Sequence, residues 1–101
     1  MKRYHDSLIR SLKDPAEAAE YLNAVLEDGD SEMFLVALKN VAEARGGMVK
    51  LSHAAKLNRA NLYRICSKAG NPEIHTLASI LKNFGLRLAV ATRAKRQLGV
   101  A

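Results

Sequence analysis

The chain has 101 residues, 49% of them hydrophobic, with 16 Lys plus Arg against 10 Asp plus Glu, one cysteine and no tryptophan, which fits one small globular domain and leaves no room for two. The lone Cys66 excludes an internal disulfide and no spaced Cys/His cluster offers a zinc site, so burial alone must hold the fold, with no cofactor and no metal. The longest apolar stretches, such as Leu86 to Ala91 with Arg87 inside, fall far below the ~20 residues that cross a bilayer, and the N-terminus lacks an apolar signal core, so a cytoplasmic protein is expected.

The net charge of +6 is unevenly spread along the chain. Met1 to Lys13 carries Lys2, Arg3, Arg10 and Lys13 against Asp6, a balance of +3. Its Tyr4, Leu8, Ile9 and Leu12 suit docking on the core or on a partner, and its basic residues suit DNA, while a disordered, cleavable arm fits equally, so residues 1–13 read as an N-terminal arm. Asp14-Pro15-Ala16-Glu17 is a helix start: Asp as cap, Pro where a missing N–H costs nothing, Glu in the first turn. Ala18, Tyr21, Leu22, Val25 and Leu26 recur at helical spacing up to Gly29. Asp30 or Ser31 caps a second helix whose stripe, Phe34, Ala37, Leu38, Val41 and Ala42, predicts the central core element, closed by Gly46-Gly47. The stretch Asp14 to Phe34 carries seven acids and no base, a balance of −7.

From Leu35 onward the balance is +10. Three shorter helices follow, Met48 to Ala55, Arg59 to Ser67 and Ile74 to Phe84, with Gly70-Asn71-Pro72 between the last two. After Gly85 the apolar period changes from 3.6 to 2: Leu86, Leu88 and Val90 alternate, which predicts a single β-strand. A lone strand needs a partner, so Leu86, Leu88 and Val90 are the candidate contacts of a homodimer. Residues 92–101 read as a basic flexible tail. The expected fold is mainly α, a five-helix domain over residues 14–91 ending in one β-strand.

Met48 to Ser67 has the shape of a helix-turn-helix. Leu51, Ala55, Leu57, Leu62 and Ile65 supply the buried seam, Ser52 permits close approach, and Asn58 caps the second helix. The outward face of that helix then carries Arg59, Ala60, Asn61, Tyr63, Arg64 and Lys68. Arg reads guanine edges with two hydrogen bonds, Asn pairs with adenine or phosphate, and Ala or Tyr touches a thymine methyl, so the face matches major-groove chemistry. Catalysis has no such footing. Ser52 and His53 are adjacent on a helix and point about 100° apart, no carboxylate orients the imidazole, and His5, His53 and His75 are too scattered for a metal cage. A non-enzymatic protein is expected.

The segments Asp14-Pro15, Tyr21-Leu22, Glu27-Asp28-Gly29-Asp30, Ala42-Glu43-Ala44-Arg45-Gly46-Gly47-Met48, Leu57-Asn58-Arg59, Leu62-Tyr63-Arg64, Gly70-Asn71-Pro72 and Gly85-Leu86 together resemble the addiction-module antidote family, HigA-like antitoxins with a lambda-repressor-like fold. The resemblance runs over about residues 14 to 90. It implies a dimer that binds a palindromic operator and represses its own operon, and that neutralises a small RelE-like mRNA-degrading toxin. It places Arg59, Ala60, Tyr63 and Arg64 over base edges, and Asn58, Asn61 and Asn71 towards phosphates. Charge and helical position add Lys50, His53 and Lys68 to the phosphate set. Lys56 stands where related turns place a left-handed glycine, which implies a strained turn. The acidic segment has the sign that suits a basic toxin, making Glu17, Glu20 and Asp28 the candidate toxin contacts. The competing reading is a protein-interaction module that sequesters a toxin without specific DNA binding. RNA binding is disfavoured by the scarcity of aromatics for base stacking.

Overall fold

The computed structural model describes residues 2–93, and side chains from residue 4. Six helices succeed one another: α1 (Lys2–Ser11), α2 (Pro15–Glu27), α3 (Ser31–Ala44), α4 (Met48–Ala54), α5 (Arg59–Ile65) and α6 (Ile74–Asn83). The caps read from the sequence are made. Asp14 accepts from the Ala16 N–H at 3.0 Å with Pro15 at the first helical position, and Asp30 accepts from the Met33 N–H at 3.0 Å. Each satisfies a donor that a helix N-terminus otherwise leaves orphaned.

The sequence predicts five helices; among the described residues there are six, because residues 2–11 are helical. α1 packs on α3, with Leu12 just beyond it fully buried and Leu8 and Ile9 half-buried. The Arg45 guanidinium donates to the Lys13 carbonyl at 3.1 Å, and His5 Nε2 lies 3.4 Å from the Glu43 carboxylate. α3 is the central element. It meets α1, α2 and α4 and buries Phe34, Leu35, Ala37, Leu38, Val41, Ala42 and Ala44, joined in one core by Leu62 of α5, Ile80 of α6 and Phe84.

The β-strand expected after Gly85 is absent: among the described residues there is no strand at all. Period-two alternation decides which side chains share a face, but a strand exists only through a hydrogen-bonded neighbour, and the described residues, whose regular elements are all helices, supply none. The Leu86 N–H donates instead to the Leu81 carbonyl at 2.9 Å, closing α6. Leu86 packs against the core while Leu88 is 39% exposed and Val90 fully exposed, so the three share no buried face. Most of the expected tail, residues 94–101, lies outside the described residues.

Three helices end in the same way. At α3, Gly47 N–H reaches the Ala42 carbonyl at 2.8 Å; at α6, Leu86 reaches Leu81; at α4, Leu57 reaches Ser52 at 2.8 Å. This is the Schellman closure, which needs a left-handed residue just past the cap. Gly46 (φ +113°) and Gly85 (φ +80°) fill that place in α3 and α6, but in α4 it is Lys56, at φ +55°. A side chain there costs about 1–2 kcal/mol, offset in part by the entropy a glycine loses on folding. Lys56→Gly is therefore expected to stabilise the fold by about 0.5–1 kcal/mol, read as a rise of several degrees in Tm. An unchanged or lower Tm contradicts the account of this turn.

Candidate nucleic-acid interface

α4 and α5 are two short helices joined by a tight turn and packed on each other, and the seam between them is the one expected from the sequence. Leu51, Ser52, Leu62 and Ile65 are buried, and Ala55 and Leu57 are half-buried. The Ser52 hydroxyl donates to the Val49 carbonyl at 2.8 Å, so this buried polar group has its partner. Asn58 Oδ1 accepts from the Asn61 N–H at 3.0 Å and caps α5. With Leu62 and Ile65 locked inwards, the helical repeat turns Arg59, Ala60, Tyr63 and Arg64 to solvent.

The remaining candidates distribute unevenly around this helix. Lys68 and Asn71 are exposed in the segment after α5, and His53 is exposed on α4. Asn61 is half-buried. It shares with Arg64, Asn71 and Thr76 a polar depression between α5 and the start of α6, whose lining also includes Glu73. Lys50 lies elsewhere, beside Arg45 and Asn83 where the ends of α3 and α6 meet α4. Asn58 spends its carboxamide oxygen on the cap, which leaves its NH2 group as the part that can reach a phosphate.

One residue escaped the sequence reading. Lys39, the only basic residue within α3, holds its Nζ 5.9 Å from the centroid of the Tyr63 ring, within cation–π range, and so ties α3 to the outward face of α5. Helical spacing gave no signal for it, since nothing in the periodicity of α3 says which neighbour lies beyond its solvent edge. Cys66, just past α5, is buried, and burial pushes its thiol up to about 11, against the opposing charge of Lys39. It stays protonated at neutral pH and is a packing residue without thiolate chemistry.

The acidic candidates sit on other elements. Glu17 and Glu20 are exposed on α2 and Asp28 caps its end; α2 packs on α3 and α5 on α4, so the two charge signs are carried by different helix pairs. Beside α2 runs an apolar groove of about 500 Å³ lined by Leu22, Leu26, Phe34, Leu81, Leu86 and Leu88. Among the described residues no group of three or more His, Cys, Asp or Glu could hold a metal ion, and no helix is long and apolar enough to cross a membrane.

Residues 5–92 match the family model described as "Probable addiction module antidote protein". The chain belongs to this family. An uncharacterized protein of Haemophilus influenzae is 33% identical over 79 residues, covering 78% of this chain and 80% of its own length. No solved structure matches the chain. The match to the antidote family begins inside α1 and runs past Leu86, so it takes in α4 and α5, the acidic helix and the groove together.

Proposed function

We propose that this antidote-family chain is the HigA-like antitoxin of a type II toxin–antitoxin module, a dimeric autorepressor that binds a palindromic operator and neutralises a RelE-like toxin. The observation that carries the DNA half of the proposal is the outward face of α5. Arg59, Ala60, Tyr63 and Arg64 are presented from a short helix fixed by buried Leu62 and Ile65, the arrangement by which a recognition helix enters the major groove. Lys50, His53, Asn58, Lys68 and Asn71 are the proposed phosphate contacts, with Lys39 as a further cation beside the reading face. Leu86, Leu88 and Val90 are the proposed dimer contacts, two of them on the lining of the apolar groove. A two-fold dimer sets its recognition helices about 34 Å apart, one turn of B-form DNA.

The toxin half rests on charge. The exposed acids Glu17, Glu20 and Asp28 present the sign that steers a basic partner. The test is co-purification of the chain with the product of the adjacent reading frame. Replacing Glu17, Glu20 and Asp28 together by lysine is expected to weaken that complex roughly tenfold or more at low salt, chiefly through slower association, with operator affinity unchanged. Toxin binding unaffected by the triple reversal removes this surface from the account.

A further inference from the structure

Asn61 entered the sequence reading as a phosphate contact, but its geometry gives it different work. Its backbone N–H is fixed by Asn58 Oδ1 at 3.0 Å, and its own Oδ1 accepts from Arg64 Nη2 at 2.6 Å. The Arg64 carbonyl in turn accepts from Ser67 Oγ at 2.6 Å. A chain of hydrogen bonds thus runs from the helix cap through Asn61 to the guanidinium one turn later.

One feature argues against base reading by Asn61. A two-point contact to adenine needs the carboxamide oxygen as acceptor beside the NH2 donor, and the 2.6 Å bond from Arg64 already occupies one of that oxygen's two lone pairs and fixes the orientation of the amide. Arg64, by contrast, has five N–H donors and spends one, so it keeps enough of its planar fork to grip a guanine. We infer that Asn61 is a positioning residue that holds Arg64 in its reading orientation in the free protein. The inference rests on the DNA-reading proposal and says which side chain prepays the ordering of the reader. An arginine already ordered costs less to immobilise on binding, and removing that order weakens discrimination about three- to tenfold.

The test uses the full chain and the duplex that the wild type enriches from random-sequence DNA, together with its single-base-pair variants, at several salt concentrations. Asn61→Ala leaves the cap intact, because that bond uses the backbone N–H, and alanine favours helix. It is expected to lose about three- to tenfold of preference at the same base pair as Arg64→Ala, with no change in salt slope. The double variant is expected to be no worse than Arg64→Ala alone, and Asn61→Asp, which keeps an acceptor there, to retain the preference. In the free protein, side-chain ¹⁵N relaxation should find Arg64 more ordered than Arg59 in the wild type and equally mobile in Asn61→Ala. A uniform loss with a shallower salt slope makes Asn61 a phosphate contact, and a loss at another base pair makes it a reader. Either result overturns the inference, as do multiplicative losses in the double variant or unchanged Arg64 order. If the wild type enriches no sequence, the DNA-reading proposal itself falls; if it does and the Asn61 variants behave as wild type, only this inference falls.

Discussion

Gly70→Ala is expected to lower the unfolding free energy by about 3 kcal/mol. The cause is a close approach of backbones. A Cβ on Gly70 would lie 2.1 Å from the Ile65 carbonyl oxygen, 2.7 Å from its carbonyl carbon and 2.9 Å from the Arg64 oxygen. None of these atoms belongs to a flexible side chain that can swing aside, since Ile65 is buried and the Gly70 N–H is tied to the Ser67 carbonyl at 2.9 Å. Relief requires the end of α5 and the following loop to separate, and Arg64 moves with them. Urea unfolding should therefore find a much lower midpoint with an unchanged slope. Operator affinity should fall as well, even at temperatures where the variant is folded. A loss below about 0.5 kcal/mol, the ordinary range for a surface substitution, contradicts the tight junction between α5 and its loop.

The second large effect concerns DNA. Arg64→Ala is expected to remove about 1–3 kcal/mol of discrimination at a single base pair, whereas Lys68→Ala should weaken all sequences alike and reduce the salt slope by about one. The contrast follows from what each cation meets. Arg64 is a planar fork on the outward face of α5, already engaged by Asn61 at 2.6 Å, while Lys68 stands beyond the helix end as an exposed point charge. Base edges carry sequence information and phosphates carry none. Equal losses on specific and random duplexes for both variants contradict the assignment of reader and anchor.

Much of this was legible in the sequence, for local reasons. Asp14-Pro15, Asp30, Asn58 and Gly46-Gly47 act within a turn of their own positions, so capping chemistry located the ends of α2, α3 and α5 directly. The seam of Leu51, Leu62 and Ile65 followed from spacing, and even the odd turn was visible, as Lys56 does take the left-handed conformation. What failed depended on partners distant in the chain. Residues 1–13 read as a charged arm until α3 is there to bury Leu12, and the contacts of His5 with Glu43 and of Lys13 with Arg45 span more than thirty positions. Leu86, Leu88 and Val90 alternate as a strand does, but the described residues offer no strand to pair with and the helix closure claims the Leu86 N–H. In the candidate site the exposure of Arg59, Ala60, Tyr63 and Arg64 was legible, since they are what remains when the seam is buried. Lys39 over Tyr63 and Asn61 on Arg64 were not, because one is a contact between α3 and α5 and the other a choice among rotamers.

The central claim is that α5 reads sequence. Fluorescence anisotropy of the full chain against its enriched duplex, and against a shuffled duplex of the same composition, tests it most directly between 50 and 200 mM salt. At least about a thousandfold preference for the enriched duplex is expected at physiological salt, with affinity for both falling steeply as salt rises; equal affinity for the two duplexes at every salt concentration would contradict sequence reading by α5.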